Sequence, residues 1–203
     1  MYGLVNYQLT GIQKGIQYGH ALQEYNNIVM DWMDENPEVG SEKYNKIKLF
    51  REWAKKYKTF IVLNGGTTNK NLAPLNKLHE GIYRGTLNNY KVELENNGID
   101  VIGFEEYDLG DQLTSVVFLV DERVFLKEDG KYAYLDFEDW IFENPSPYMT
   151  LSKNDKVLIK SVRKQFKNSD NKDMLDYYNS WVEHMGGVKN VFLRDFTRNL
   201  KLA

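Results

Sequence analysis

The chain has 203 residues, 42% hydrophobic and 27% charged, which fits a folded globular protein; with no cysteine it has no disulfide, thiolate metal site or cysteine nucleophile. The net charge of −3 argues against tight nonspecific nucleic-acid binding, yet Lys153 to Ala203 carries 11 Lys and Arg against 6 Asp and Glu (+5) and the remainder 15 against 23 (−8). No apolar run approaches the roughly 20 residues that span a bilayer, and Met1-Tyr2-Gly3-Leu4 does not read as a signal peptide, so a cytoplasmic location is expected.

Leu4 to Leu9 reads as a first strand closed by Thr10-Gly11. A long helix is predicted from about Gly15 to Met33, with Ala21, Tyr25, Ile28, Val29 and Trp32 at core-facing spacing, ended by Asn36-Pro37. Ser41 is the expected N-cap of a second helix with Tyr44, Ile47, Phe50 and Trp53 on its apolar face. Thr59 to Leu63 is a short strand, stopped by Asn64-Gly65-Gly66. Residues 67 to 85 read as a long excursion of the kind that often serves as a functional lid. Thr86 is the expected cap of a third helix running to about Glu95 and ended by Asn97-Gly98. Ile99 to Glu105 and Thr114 to Val120 are two more strands, the latter apolar enough to be central, with an acidic turn from Glu106 to Asp111 between them.

These elements predict an α/β domain over residues 1–128, a mixed four-stranded sheet covered by helices, with residues 65–85 as an insertion. Residues 129–150 read as a linker or wrapping segment. Residues 151–203 read as a basic helical extension of three amphipathic helices, the first of them Lys153 to Lys167 with six basic residues.

The candidate chemistry starts at Lys14-Gly15-Ile16-Gln17-Tyr18-Gly19-His20. A strand, a glycine turn and a helix start leave N–H groups free and suit an anion. Gln17 and His20 are three apart and share a helix face. Asn64, Gly65, Gly66 and Thr67 form a second possible anion cradle, although their spacing matches no nucleotide P-loop. Glu105, Glu106 and Asp108 offer a general base beside apolar strands, with a plain solvated turn as the alternative. His79 has no evident partner and His184 reads as part of a helix face. No three side chains have metal-ligand spacing, so no metal and no cofactor is expected.

Three stretches together resemble the type 2 peptidyl-tRNA hydrolases. Gln17-x-x-His20-Ala21 is similar to that family's Gln-x-x-His-Ala element on its first helix. Trp53 to Leu63 resembles its helix-end tryptophan leading into the second strand. Gly98 to Asp108, followed by Thr114 to Val120, resembles its acidic loop and threonine-led strand. The likeness spans about Tyr2 to Asp121, and the look of the whole chain is similar to accessory proteins of tailed phages. The resemblance implies hydrolysis of the ester joining a peptidyl group to tRNA. In it Lys14 or His20 stabilises the oxyanion, Glu106 or Asp108 activates water, Thr114 orients it, and the basic helix contacts phosphates.

The sequence departs from the family at two points. The family's catalytic lysine, four residues before the glutamine, is here Gln13, and the loop Glu105-Glu106-Tyr107-Asp108 is short and acidic, which disfavours a tRNA backbone. A noncatalytic alternative therefore stays open. It would bind a nucleotide or another small anion through Lys14, Gly15, Gln17 and Asn64 to Thr67, for example to sequester a host defence signal. A third reading is an inhibitor that binds a host protein through the C-terminal helices. The oligomeric state is left open.

Overall fold

Thr10 takes extended backbone and its hydroxyl accepts from the Gln13 N–H, while the Gln13 side chain accepts from the Thr10 N–H. This reciprocal cap starts the first helix at Gly11, four residues before the predicted start. The computed structural model describes residues 1–68, 85–124, 127–128, 131–132, 136–144 and 156–203. Its described residues fall into two units, one of residues 1–120 with 197–203 and one of residues 121–196.

The first unit has strand β1 (Tyr2–Asn6), helices α1 (Gly11–Asp34) and α2 (Glu42–Glu52), β2 (Ile61–Gly66), α3 (Thr86–Asn96), β3 (Val101–Glu106) and β4 (Gln112–Phe118). The strands form one mixed sheet in the order β2-β1-β4-β3, with β1 parallel to β2 and β4 antiparallel to both its neighbours. The α/β class and the four-stranded mixed sheet expected from the sequence are thus present, and β4 is central.

Both faces of the sheet are covered, which is why Leu4 and Val5, successive residues on opposite faces, are both fully buried. Val5 joins Tyr18, Ala21, Tyr25 and Val29 of α1, Ile47 and Phe50 of α2, and Trp53 in one cluster. On the other face α3 packs on the strands and brings Leu87 and Leu94 to full burial. The Trp53 indole donates to the Thr59 carbonyl at 2.9 Å, tying the end of α2 to the entry of β2.

The Asn64-Gly65-Gly66 run does not stop β2 as expected; it continues it. Val5 pairs with Asn64 and Asn6 with Gly66, so Gly65 is an extra residue in a bulge. A Cβ on Gly65 would stand 2.6 Å from Leu87 Cδ1, 3.0 Å from the Val5 carbonyl and 3.2 Å from Leu4 Cβ. Gly65→Ala is expected to cost about 1–3 kcal/mol through overpacking, read as a lower denaturant midpoint with an unchanged slope.

The outer edge of β2 is closed by the chain's last residues. Asn64 N–H donates to the Lys201 carbonyl at 2.8 Å and Ala203 N–H to the Val62 carbonyl at 3.0 Å, with Leu202 bridged to Leu63. β3 is the opposite edge, and among the described residues its strand partner is β4.

The second unit holds a short hairpin of β5 (Lys127–Glu128) and β6 (Lys131–Tyr132), then α4 (Phe137–Glu143), α5 (Lys156–Lys167), α6 (Lys172–His184) and most of α7 (Val188–Arg198). The stretch 129–150, read above as linker or wrapping, contains α4, whose Phe137 and Ile141 are buried with Val162, Phe166, Trp181 and Met185. In the basic α5, Arg163 pairs with Asp195 at 2.8 Å and lies over the Trp181 ring at 4.8 Å, while Lys164 and Lys167 are exposed. Among the described residues no helix is long and apolar enough to cross a membrane. His79 and residues 69–84 of the insertion lie outside the described residues, as do Lys153 to Asp155.

Candidate functional site

Gln17 is 8% exposed, on the flank of α1 that meets the ends of β3 and β4. A buried amide must find partners for both of its ends. Its Nε2 donates to Glu106 Oε2 at 2.6 Å, and its Oε1 accepts from the Thr114 hydroxyl at 2.7 Å. Two residues, 89 and 97 positions from Gln17, are thereby joined to it in one polar chain.

A break in the β3–β4 pairing makes this possible. Phe104 pairs with Ser115 and Glu105 with Leu113, so Thr114 is the extra residue of a bulge. Strict alternation would turn Thr114 and Ser115 to opposite faces. The bulge instead lets both hydroxyls reach α1, Thr114 at the Gln17 side chain and Ser115 at the Gln17 carbonyl at 2.6 Å. The Thr114 hydroxyl also lies 3.1 Å from the Phe104 carbonyl. Ser115, fully buried in an otherwise apolar strand, is a site residue that the sequence reading missed. The paired hydroxyls Thr114-Ser115 at the start of an apolar run were the available signal.

The acidic turn is tight. Gly110 and Asp111 both take positive φ, at 71° and 60°, and Asp111 N–H donates to the Glu106 carbonyl at 3.0 Å. This returns the chain to β4 while holding Glu106 on the α1 face. Glu106 is half-buried, and its Oε1 has no partner among the described residues. Glu105 and Asp108 are exposed, and Asp108 takes no part in the Gln17 network.

His20, one turn after Gln17, is exposed at its edge and stacks on Phe104, with ring centroids 4.6 Å apart and planes at 19°. Lys14, one turn before Gln17, is half-buried and has no ion-pair partner among the described residues. Lys14, Gln17, His20, Glu106, Thr114 and Ser115 thus gather at one end of the sheet. Among the described residues no group of three His, Asp or Glu is placed to hold a metal ion.

No family model, curated protein or solved structure matches this chain. What the site can do therefore rests on its own geometry, and two expectations need correction.

First, Gly15 lies inside α1, not in a turn before it. The N–H groups from Lys14 onward are inside the helix, with Lys14 N–H on the Thr10 carbonyl at 2.9 Å, so Gly15 contributes no free amide to an anion. Second, the amides of Asn64, Gly66 and Thr67 are already used. Gly66 N–H donates to Asn64 Oδ1 at 2.8 Å, Thr67 N–H to Thr86 Oγ1 at 3.2 Å, and Asn64 N–H to Lys201. Thr67 in return accepts from the Thr86 and Leu87 N–H groups and so caps α3, whose own N-cap residue is Gly85. This stretch is a strand bulge that also caps a helix, and the amides of Asn64, Gly66 and Thr67 are not free for an anion.

Proposed function

We propose that the chain is an ester hydrolase of the type 2 peptidyl-tRNA hydrolase kind, acting on the ester between a peptidyl group and tRNA ribose. The observation that carries this reading is the bonded set Gln17–Glu106–Thr114. These are residues that the resemblance singled out from three separate stretches. The sheet order β2-β1-β4-β3 also supports it, since it puts the end of β3, the start of β4 and the start of α1 at one place.

In this reading Glu106 is oriented through Oε2 by Gln17, which is itself held by Thr114. Oε1 accepts a proton from water as the water oxygen attacks the ester carbonyl. The Lys14 ammonium stabilises the oxyanion of the tetrahedral intermediate. Collapse breaks the bond to the ribose oxygen, which leaves with the proton that Glu106 took from water. His20, braced by Phe104, contacts the substrate beside this centre.

One observation favours the noncatalytic alternative, in which a nucleotide or small anion is held at Lys14. Gln13, at the position of the family's lysine, is occupied in the helix cap with Thr10 and supplies no cation. The two readings separate in one experiment. Purified protein and Gln13→Lys are assayed on a model peptidyl-tRNA, with His20→Ala as control. The hydrolase reading expects turnover that Gln13→Lys raises by about tenfold, equivalent to about 1.4 kcal/mol of barrier. Absence of turnover in both proteins sinks it and leaves the binder. Residues of the cap make the substitution tolerable: Thr10 still accepts from the backbone N–H of position 13.

A further inference from the structure

Ser115 is fully buried at the head of an apolar run, Val116, Val117 and Phe118. Branched and aromatic apolar side chains suit such a strand, and a hydroxyl there is costly unless it is bonded. Its Oγ donates to the Gln17 carbonyl at 2.6 Å. The base it donates from is fixed on both sides, since Ser115 stands opposite Val5 of β1 and Phe104 of β3. With no exposed surface it cannot meet a substrate, which excludes it as a nucleophile.

The helix it holds is loosely seated up to that point. None of residues Gly11 to Ile16 is buried, and the first buried residues of α1 are Gln17 and Tyr18. Where Gly11 and Gly15 would carry a Cβ there is nothing within 4 Å. Tyr18 closes over Gly3, where a Cβ would stand 2.2 Å from the ring. Apolar contact of that kind sets how near the helix lies but is non-directional, whereas a hydrogen bond weakens steeply away from a straight path. The Ser115 bond is therefore the directional contact that fixes the rotation of α1 at Gln17. β4 then grips Gln17 twice, at the main chain by Ser115 and at the side chain by Thr114. With both ends held, Nε2 has one direction left, and Glu106 Oε2 lies along it at 2.6 Å.

We propose that Ser115 is a positioning residue of this site, acting through Gln17 to hold Glu106 where it activates water. This role rests on the hydrolase reading, and it falls to a residue to which the resemblance gives none. Removing the hydroxyl leaves the Gln17 carbonyl its bond within α1, so Ser115→Ala keeps the fold. What the variant frees is the rotation of the helix over β4. That rotation carries the Gln17 amide, and with it the Glu106 carboxylate, away from the line of attack on the ester. Misplacement of this kind is paid in rate, since the contacts that bind substrate are untouched.

The test has two readouts on the full chain. With a model peptidyl-tRNA, Ser115→Ala is expected to lower kcat about tenfold with KM little changed. In a Gln17→Leu background the same substitution is expected to lower kcat by less than about twofold, because the residue it acts through is gone. A merely structural residue would lower kcat by the same factor in both backgrounds, and that result overturns the proposal, as does full turnover by Ser115→Ala. The second readout is nuclear magnetic resonance of the Gln17 side-chain amide. Its proton on the Glu106 bond is expected to exchange with water at least about tenfold faster in Ser115→Ala than in the wild type. Equal exchange in the two proteins overturns the proposal. No turnover by the wild type overturns the hydrolase reading, and the hold of Ser115 on the Gln17–Glu106 pair is then decided by the exchange rates alone.

Discussion

Glu106→Gln is expected to lower turnover of a model peptidyl-tRNA by about 10²- to 10⁴-fold, the range for removal of a general base. The change keeps the size of the side chain and lets its amide oxygen still accept from Gln17 Nε2, so the polar chain through Thr114 persists. What it removes is a proton acceptor facing water. Because binding contacts survive, the loss is expected in kcat with KM little changed. Thr114→Val is the companion variant. It deletes the donor to Gln17 Oε1, leaves a buried amide oxygen unpaired, and frees Gln17 and with it Glu106 to rotate. Its expected signature is a smaller fall in kcat together with a stability loss of about 1–3 kcal/mol. Equal turnover by wild type and Glu106→Gln would remove Glu106 from the chemistry and turn attention to Asp108, which is exposed in the same turn.

The largest expected effect on stability is in the second unit. Phe137 is fully buried and meets four rings, Phe166 and Trp181 with centroids 5.4 Å away, Tyr178 at 5.5 Å and Tyr177 at 6.3 Å. Phe137→Ala is expected to cost about 3–5 kcal/mol, the transfer free energy of the ring plus the cavity it leaves. Edge-to-face geometry adds to this, since each such pair is worth about 0.5–1.5 kcal/mol beyond area. Phe137→Leu should recover part of the loss by refilling volume without the ring edges. The check is chemical denaturation followed by near-ultraviolet circular dichroism, which reports this aromatic cluster. A loss below about 1 kcal/mol for Phe137→Ala would mean that α4 is not part of the core of this unit.

Much of the first unit was legible in the amino-acid order. Helical spacing of Ala21, Tyr25 and Val29 identified the buried face of α1, Ser41 the start of α2, Asn97-Gly98 the end of α3, and the unbroken apolar run of β4 its central place. These are local signals, set by side-chain period, caps and burial of both sheet faces. The misread points have a common cause. Thr10 with Gln13 was a capping box hidden behind a more conspicuous glycine, and Asn64-Gly65-Gly66 looked like a strand terminator. Glycine in a strand signals either an end or a close approach, and only the Leu4, Val5 and Leu87 neighbours choose between them.

Gln17, Glu106 and Thr114 could each be named from the sequence as residues of interest. Their union could not, because it depends on a bulge that turns two successive hydroxyls of β4 toward one helix. By itself the sequence determined the elements, the α/β class and the residue types available for chemistry, since period, capping and hydrophobicity act over a few residues. The tertiary structure decided which polar atoms meet, because hydrogen bonds form over about 3 Å and only strand register and helix docking bring distant residues that close.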